Sequence, residues 1–426
     1  MTDVPATTWH RPHRPYGGPV LRVLAAVALV VSAVVVGALL PDDRVHAPAP
    51  PLFAHWLPHV GIGTPLAVLV ALAVVVWGPP LAGRLPWRLA LGAGYATALA
   101  WTFALALVDG WARGVTGRLT TEHEYLHEVP GVTDVGAMLR EFSSRILDYQ
   151  PDSWATHVSG HPPGAFLVFI GLDRVGLPGG AWAAAFVVLV GALTAVAVPV
   201  TVRALVSEEH ARAVLPFVAL FPGAVWMGVS ADGLFAGVTA CGIALLATRR
   251  ALAGGVVLGF GVFLSYGLVL MGVLALVVLL CHPRGRNWRG IGVAVLGASA
   301  VVAVFAALGF WWVDGYHLVV ERYYQGIATP RAYVYWVWAD LAAAVFACGF
   351  APFAARWRGP AVTLAAAAAA AILVAAVSGL SKAEVERIWL PFTVWLVVLV
   401  PDRRRLWLAA QAVTALAVNH LLLTNW

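Results

Sequence analysis

The sequence predicts an all-α polytopic membrane protein of about 13 transmembrane helices, with amphipathic helices resting against the membrane on its extracytoplasmic side. Three observations predict it. First, the 426 residues are 61% hydrophobic and only 11% charged, with a mean hydropathy of +0.83; soluble domains carry about 25% charged residues. Second, the loops between apolar runs alternate in charge. Of the 27 basic residues, 17 fall in short segments on one side, and 16 of the 21 acids fall on the other. Excess arginine and lysine marks the cytoplasmic side, which puts the N-terminus inside. Third, one outward segment, residues 109–179, is far longer than the usual connection of about 4–6 residues.

A spanning helix needs about 20 mostly apolar residues, and fewer inside a bundle. Spans are therefore expected near 23–41, 64–79, 89–108, 180–201, 212–229, 233–248, 251–265, 266–281, 291–311, 336–354, 360–378, 389–401 and 406–424. Arg11, Arg14 and Arg22 lead into the first run, and no small-residue cleavage site follows, so it reads as an uncleaved helix. Residues 251–281 divide into two crossings near Ser265-Tyr266-Gly267. Only then do Arg249-Arg250 and Arg284, Arg286 and Arg289 share the cytoplasmic side. The alanine run 364–371 reads as helix, and no 20–50-residue repeat is present. Three regions result: 1–108 with the first three spans, the outward loop 109–179, and the bundle 180–426.

The +6 net charge reflects topology and does not point to a nucleic acid partner; the partners expected are lipids and lipid-borne substrates. Cys241, Cys281 and Cys348 are far apart, lack a C-x-x-C spacing and sit in or beside apolar runs, so they read as small core residues.

The long loop carries pattern. Tyr125, Leu126, Val129, Met138, Leu139, Phe142, Ile146 and Leu147 recur at helical spacing with charges between them. Two amphipathic surface helices are expected, broken at Pro130-Gly131 and again at Pro151-Asp152. The stretch SGHPPGAFLVFIGLDRVGLPGG, residues 159–180, has an apolar core too short to span. It reads as a re-entrant or juxtamembrane helix opened by the Pro-Pro pair.

Inside the same loop, His123-Glu124-Tyr125-Leu126-His127 spells H-E-x-x-H, the pattern in which two histidines one helical turn apart hold zinc. A zinc protease also needs a third ligand, and Glu141, Asp148, His157 and His161 are candidates without a recognisable second motif. Pro130-Gly131 ends the helix three residues after His127, and a protease reading leaves a dozen spans unexplained. The same residues also fit a solvated amphipathic face.

The order of the outward features resembles the GT-C superfamily of polytopic glycosyltransferases, which use polyprenyl-phosphate sugars on the outer face. It is similar to the aminoarabinose and protein-mannosyl transferases. The matching stretches are Thr121-Glu122-His123-Glu124-Tyr125, the helix around Met138-Leu139-Arg140-Glu141, and His161-Pro162-Pro163-Gly164. Then come Ser230-Ala231-Asp232-Gly233-Leu234-Phe235, the broken pair at Ser265-Tyr266, and Glu386-Arg387-Ile388-Trp389-Leu390-Pro391. The likeness covers roughly residues 100–400. Thr121 stands where that family's acidic stretch begins with Asp, His161 stands for the usual Lys, and two extra spans precede the acidic loop. The resemblance implies an inverting transfer from a polyprenyl-phosphate-linked sugar to a glycan, lipid or protein acceptor.

Elementary chemistry asks for the same parts. An acceptor hydroxyl needs a carboxylate to take its proton, and Glu122, Glu124 and Asp109 are the candidates. The leaving lipid phosphate needs a cation, supplied by Arg387 and Lys382 or by a divalent metal such as Mg or Mn. His161 and Glu124 are candidate contacts to that metal; zinc, on His123 and His127, belongs only to the protease alternative. Tyr125, His161, Asp232 and Tyr266 are expected to bind substrate, His161 by contacting the phosphate. Arg387 and Lys382 can equally pair with Glu384 or Glu386. Trp311, Trp312, Tyr316, Tyr323 and Tyr324 suit either a sugar platform or an interfacial aromatic belt. A transporter or flippase is the remaining alternative; it would call for polar mid-membrane residues and internal symmetry, and only Asp340 lies within a span.

Overall fold

The computed structural model describes residues 17–228 and 230–425; Arg11 and Arg14 of the basic N-terminus lie outside them. Helix α1 (Gly17–Leu39) is followed by α2 (Thr64–Arg84) and α3 (Trp87–Ala106). The long loop 109–179 holds α4 (Val135–Glu141) and α5 (Pro163–Arg174). Then come α6 (Gly180–Gly191), α7 (Thr194–Leu205), α8 (Glu208–Ala219), α9 (Ala231–Ala247) and α10 (Ala251–Leu264). Helices α11 (Met271–Leu280), α12 (Trp288–Ala307), α13 (Trp312–Gln325), α14 (Tyr333–Cys348), α15 (Ala361–Ser378) and α16 (Arg404–Leu421) complete the chain.

The protein is a predominantly helical, membrane-embedded molecule. Among the described residues six helical segments are long and apolar enough to cross a membrane: Gly18–Leu39, Thr64–Arg84, Trp87–Asp109, Gly180–Leu205, Trp288–Ala307 and Ala361–Ser378. Four shorter apolar helices, including α9 and α14, pack among them. Helices α1, α2 and α12 leave most of their apolar surface uncovered, the condition of helices solvated by lipid. Helix α9 is central, buried nearly throughout and packed against α6, α7 and α10. Helices α10 and α12 touch backbone to backbone, because a Cβ on Gly255 would strike the Ala294 carbonyl.

Several expectations are corrected. The segment 389–401 is no continuous helix but two short turns, Leu390–Thr393 and Leu396–Val398, buried in the bundle. The run 266–281 begins as a 3-10 turn, Tyr266–Leu270, before α11; the break expected at Ser265 is present. The all-α class carries one exception, an antiparallel ribbon of β1 (Ala54–Trp56) and β2 (Leu422–Thr424), in which Ala54 faces Thr424.

The loop 109–179 folds inward and does not lie flat as two amphipathic helices. Its first helix is a single turn, Tyr125–Glu128, ended by a 3-10 turn at Val129–Gly131. The residues at helical spacing form a core: Tyr125, Val129, Met138, Leu139, Phe142 and Ile146 are all buried. Phe142 packs against Trp154, whose indole donates to the Phe142 carbonyl at 3.0 Å, and Trp154 meets Phe166 of α5 edge-on. Helix α5 starts at Pro163, where a missing N–H costs nothing. It seats against α10 because Gly164 lets it approach the Phe263 backbone.

Candidate active site

Four stretches distant in sequence meet in one buried cluster. Glu124 caps the start of the turn Tyr125–Glu128 in an extended conformation, which turns its carboxylate inward; it is 4% exposed. His157 lies on the single turn Thr156–Ser159. Asp232 stands in the first turn of α9, where the helix dipole favours an anion. Arg387 comes from the turn Val385–Ile388, and Glu384 sits just before it with a left-handed backbone.

Arg387 is the hub. Its guanidinium donates to Asp232 Oδ2 at 2.7 Å, to Glu384 Oε2 at 2.9 Å and to His157 Nε2 at 3.0 Å. Arginine can only donate, so His157 Nε2 must present a lone pair and its proton must sit on Nδ1. Nδ1 in turn donates to the His123 carbonyl at 2.8 Å and lies 3.4 Å from Glu124 Oε1. His157 is thus a neutral ring of fixed tautomer between the Glu124 carboxylate and Arg387. His161 stacks on it, with ring centres 6.4 Å apart, and donates through Nδ1 to the His157 carbonyl at 2.8 Å. Tyr125 and Phe235 wall the His161 ring.

Electrostatics follow the geometry. Burial raises the Glu124 carboxyl to about 7; Arg387 opposes the shift and Asp232 adds to it. Burial, helped by the positive charge of Arg387, brings both His157 and His161 down to about 4. Burial alone would lower Arg387, but Asp232 and Glu384 hold it firmly protonated. Burial would raise Glu384, yet Arg387 and Arg331 bring it below the ordinary value. The site therefore holds a fixed cation beside a carboxyl poised to exchange a proton near neutrality.

The other expected residues fall in different places. Glu122 is solvent-facing, its side chain 79% exposed, with only His123 beside it at 3.8 Å. Asp109 is taken up elsewhere: His59 at 2.8 Å and Arg118 at 2.9 Å engage its two oxygens, and Arg113 lies at 3.8 Å. Arg113 and Arg118 also hold the Thr424 carbonyl, so Asp109 anchors the chain's end. Tyr266 meets Trp312 edge-on and Tyr316 at a tilt, and its buried hydroxyl has no hydrogen-bond partner among the described residues. The aromatic pair of α13, Trp312 and Tyr316, is parallel to within 3°. Lys382 borders the cluster without an acid: its ammonium donates to the Arg331 carbonyl at 3.0 Å and faces the Tyr324 ring. Arg331 returns the bond to the Lys382 carbonyl at 2.8 Å and reaches Glu384. Arg387 does pair with Glu384, whereas Glu386 accepts from the Phe53 N–H at 3.1 Å.

The H-E-x-x-H string lacks the geometry of a zinc helix. The helical turn begins only at Tyr125, with Glu124 extended before it, so His123 and His127 do not stand one turn apart on a helix. Both are exposed while Glu124 between them is buried. Among the described residues no group of three His, Cys, Asp or Glu side chains is arranged to hold a metal ion. His123 and His127 are thus not placed as a zinc-holding pair.

His157, Glu384 and Arg331 complete the cluster; the sequence offers Glu384 only as one of two partners for Arg387, His157 only as a zinc ligand, and Arg331 not at all. Their signal is spacing: His157 lies four residues before His161, and Glu384 three before Arg387. Neither a family model nor a curated protein matches the chain.

Proposed function

We propose that the protein is a GT-C-like membrane glycosyltransferase that moves a sugar from a polyprenyl phosphate to an acceptor hydroxyl with inversion. The observation that carries this reading is the convergence of Glu124, His157, Asp232 and Arg387, from four separated stretches, on one buried cluster. The reading takes a multi-pass chain with an inward N-terminus and an extracytoplasmic cluster, where a sugar donor must arrive on a lipid.

In this reading Glu124 is the general base. The acceptor oxygen attacks the anomeric carbon from the face opposite the phosphate, and its proton passes to the Glu124 carboxylate. The bond from the anomeric carbon to the phosphate oxygen breaks, and the lipid phosphate leaves with the electron pair. A carboxyl near 7 suits the task, being ionised in a large fraction of molecules yet basic enough to hold the proton. Arg387, oriented by Asp232 and Glu384, and Lys382, whose ammonium is held by the Arg331 carbonyl and the Tyr324 ring, supply positive charge toward the leaving phosphate. His157 keeps Glu124 and Arg387 from collapsing into a direct pair.

The test is donor turnover by the reconstituted protein. Proteoliposomes are given a panel of radiolabelled polyprenyl-phosphate sugars with membrane extract as acceptor. Release of polyprenyl phosphate with loss of label from the lipid supports the reading; an intact panel under all conditions refutes it.

A further inference from the structure

A second feature lies along the N-terminal half of α3, from Ala90 to Thr97, roughly 18–28 Å from Asp109 at 1.5 Å per helical residue. There α2, α3 and α8 enclose an apolar groove of about 170 Å³. Trp77, Gly78 and Leu81 of α2, Ala93 and Thr97 of α3, and Pro216 of α8 form much of its wall. Thr97, a polar group in this wall, spends its hydroxyl on the Ala93 carbonyl at 2.7 Å. Trp77 and Leu81 are 59% and 49% exposed, on helices long and apolar enough to cross a membrane. The groove thus opens sideways to lipid, and only hydrocarbon can fill it without stranding a polar group.

Its polar rim carries surplus positive charge. The connection between α2 and α3 is only Leu85-Pro86, so Arg84 and Arg88 share one rim. Both are exposed and make no hydrogen bond or ion pair with the described residues. Beside them Trp87 lies under the guanidinium groups of Arg203 and Arg212, at 4.8 and 5.6 Å from its ring centre. Those two arginines already share Glu208, each at 2.7 Å. Arg212 also ties α8 to the end of α2 through the Ala82 and Leu85 carbonyls, which fixes the wall. With the exposed Glu209 on the same turn and Arg404 beside it, the rim carries five arginines against two glutamates.

We infer that this groove is a binding site for an anionic phospholipid of the leaflet that meets the α2–α3 turn, with an acyl chain in the groove and the phosphate on Arg84 and Arg88. The tail chemistry follows from the apolar wall and its opening to the bilayer. The sign of the headgroup follows from the two uncompensated guanidiniums beside an interfacial tryptophan. The site is independent of the chemistry proposed for Glu124.

The experiment is native mass spectrometry of the full protein, released from mixed micelles of equal phosphatidylglycerol and phosphatidylcholine. Wild type should retain phosphatidylglycerol several-fold over phosphatidylcholine. In Arg84→Gln/Arg88→Gln, a change confined to exposed side chains, that preference should fall to about one. Ala93→Trp, which fills the groove, should lose bound lipid of both kinds. Soluble glycerol 1-phosphate should displace nothing, because it lacks the chain. Equal retention of the two lipids by wild type would overturn the proposal. So would an unchanged preference in the double arginine variant, unchanged retention in a folded Ala93→Trp, or displacement by glycerol 1-phosphate.

Discussion

Replacing Asp232 by Asn removes one negative charge from a pair that solvent barely reaches. Asp232 is 3% exposed, Arg387 5%, and the bond between them is 2.7 Å. Asparagine keeps the shape and an acceptor oxygen, and Arg387 retains Glu384 and His157. The cost should therefore be that of weakening one charge-assisted bond, about 2 kcal/mol. Arg387→Gln is more severe, because it strands Asp232 and Glu384 together without their cation, at about 3–5 kcal/mol. The double variant should cost less than the sum, with a coupling of about 2 kcal/mol. Reversible unfolding in mixed detergent–SDS micelles reads these differences, with the chain's 19 tryptophans as fluorescent reporters. Strictly additive single variants would refute the reasoning, since two residues that add without coupling do not share a buried ion pair.

Two further outcomes follow from the cluster. In the folded protein Glu124 is raised from 4.5 to about 7, so its stabilising contribution is complete below the ordinary value and is lost as pH rises toward 7. His157 and His161 are lowered from 6.5 to about 4, so their contribution is complete above 6.5 and is lost as pH falls toward 4. Over pH 4.5–6.5 the two act in opposite directions; Glu124→Gln should become less stable relative to wild type as pH drops from 7 to 5, in the same unfolding assay, and a constant difference would contradict the assignment. Turnover should lose activity on the acid side of about pH 7, as Glu124 takes up its proton. Zinc content of detergent-purified wild type and His127→Ala should be equal and far below one per chain; stoichiometric zinc lost in the variant would restore the metal-helix reading.

Much of the helical layout was legible because apolar length speaks directly about membranes. The ends of α2, α3, α9, α10 and α15 fall within a few residues of their expected places, and the break at Ser265 follows from loop arginines alone. Where hydrophobicity serves internal packing, the pattern misleads. Leu390–Val398 is apolar enough to suggest a span, yet its residues are buried by neighbouring helices and the backbone breaks into short turns. The loop residues from Tyr125 to Ile146 have helical spacing, but they fill the loop's own core under Trp154 and Phe166. For the site, Glu124, Asp232 and Arg387 were legible as acids and a cation on one face. What the sequence could not give was pairing. That Asp109 is tied to His59 and Arg118, 50 and 9 positions away, depends on tertiary contacts. So does the role of His157, which is defined by Arg387 some 230 residues downstream.

In the proposed reaction Glu124 is the group that takes the acceptor's proton. The most direct measurement compares polyprenyl phosphate release by wild type, Glu124→Gln and Glu122→Gln, each checked for folding by its unfolding midpoint. Loss of turnover by at least about 100-fold in Glu124→Gln alone, with the exposed Glu122→Gln close to wild type, is the expected result. A folded Glu124→Gln with full activity would contradict it.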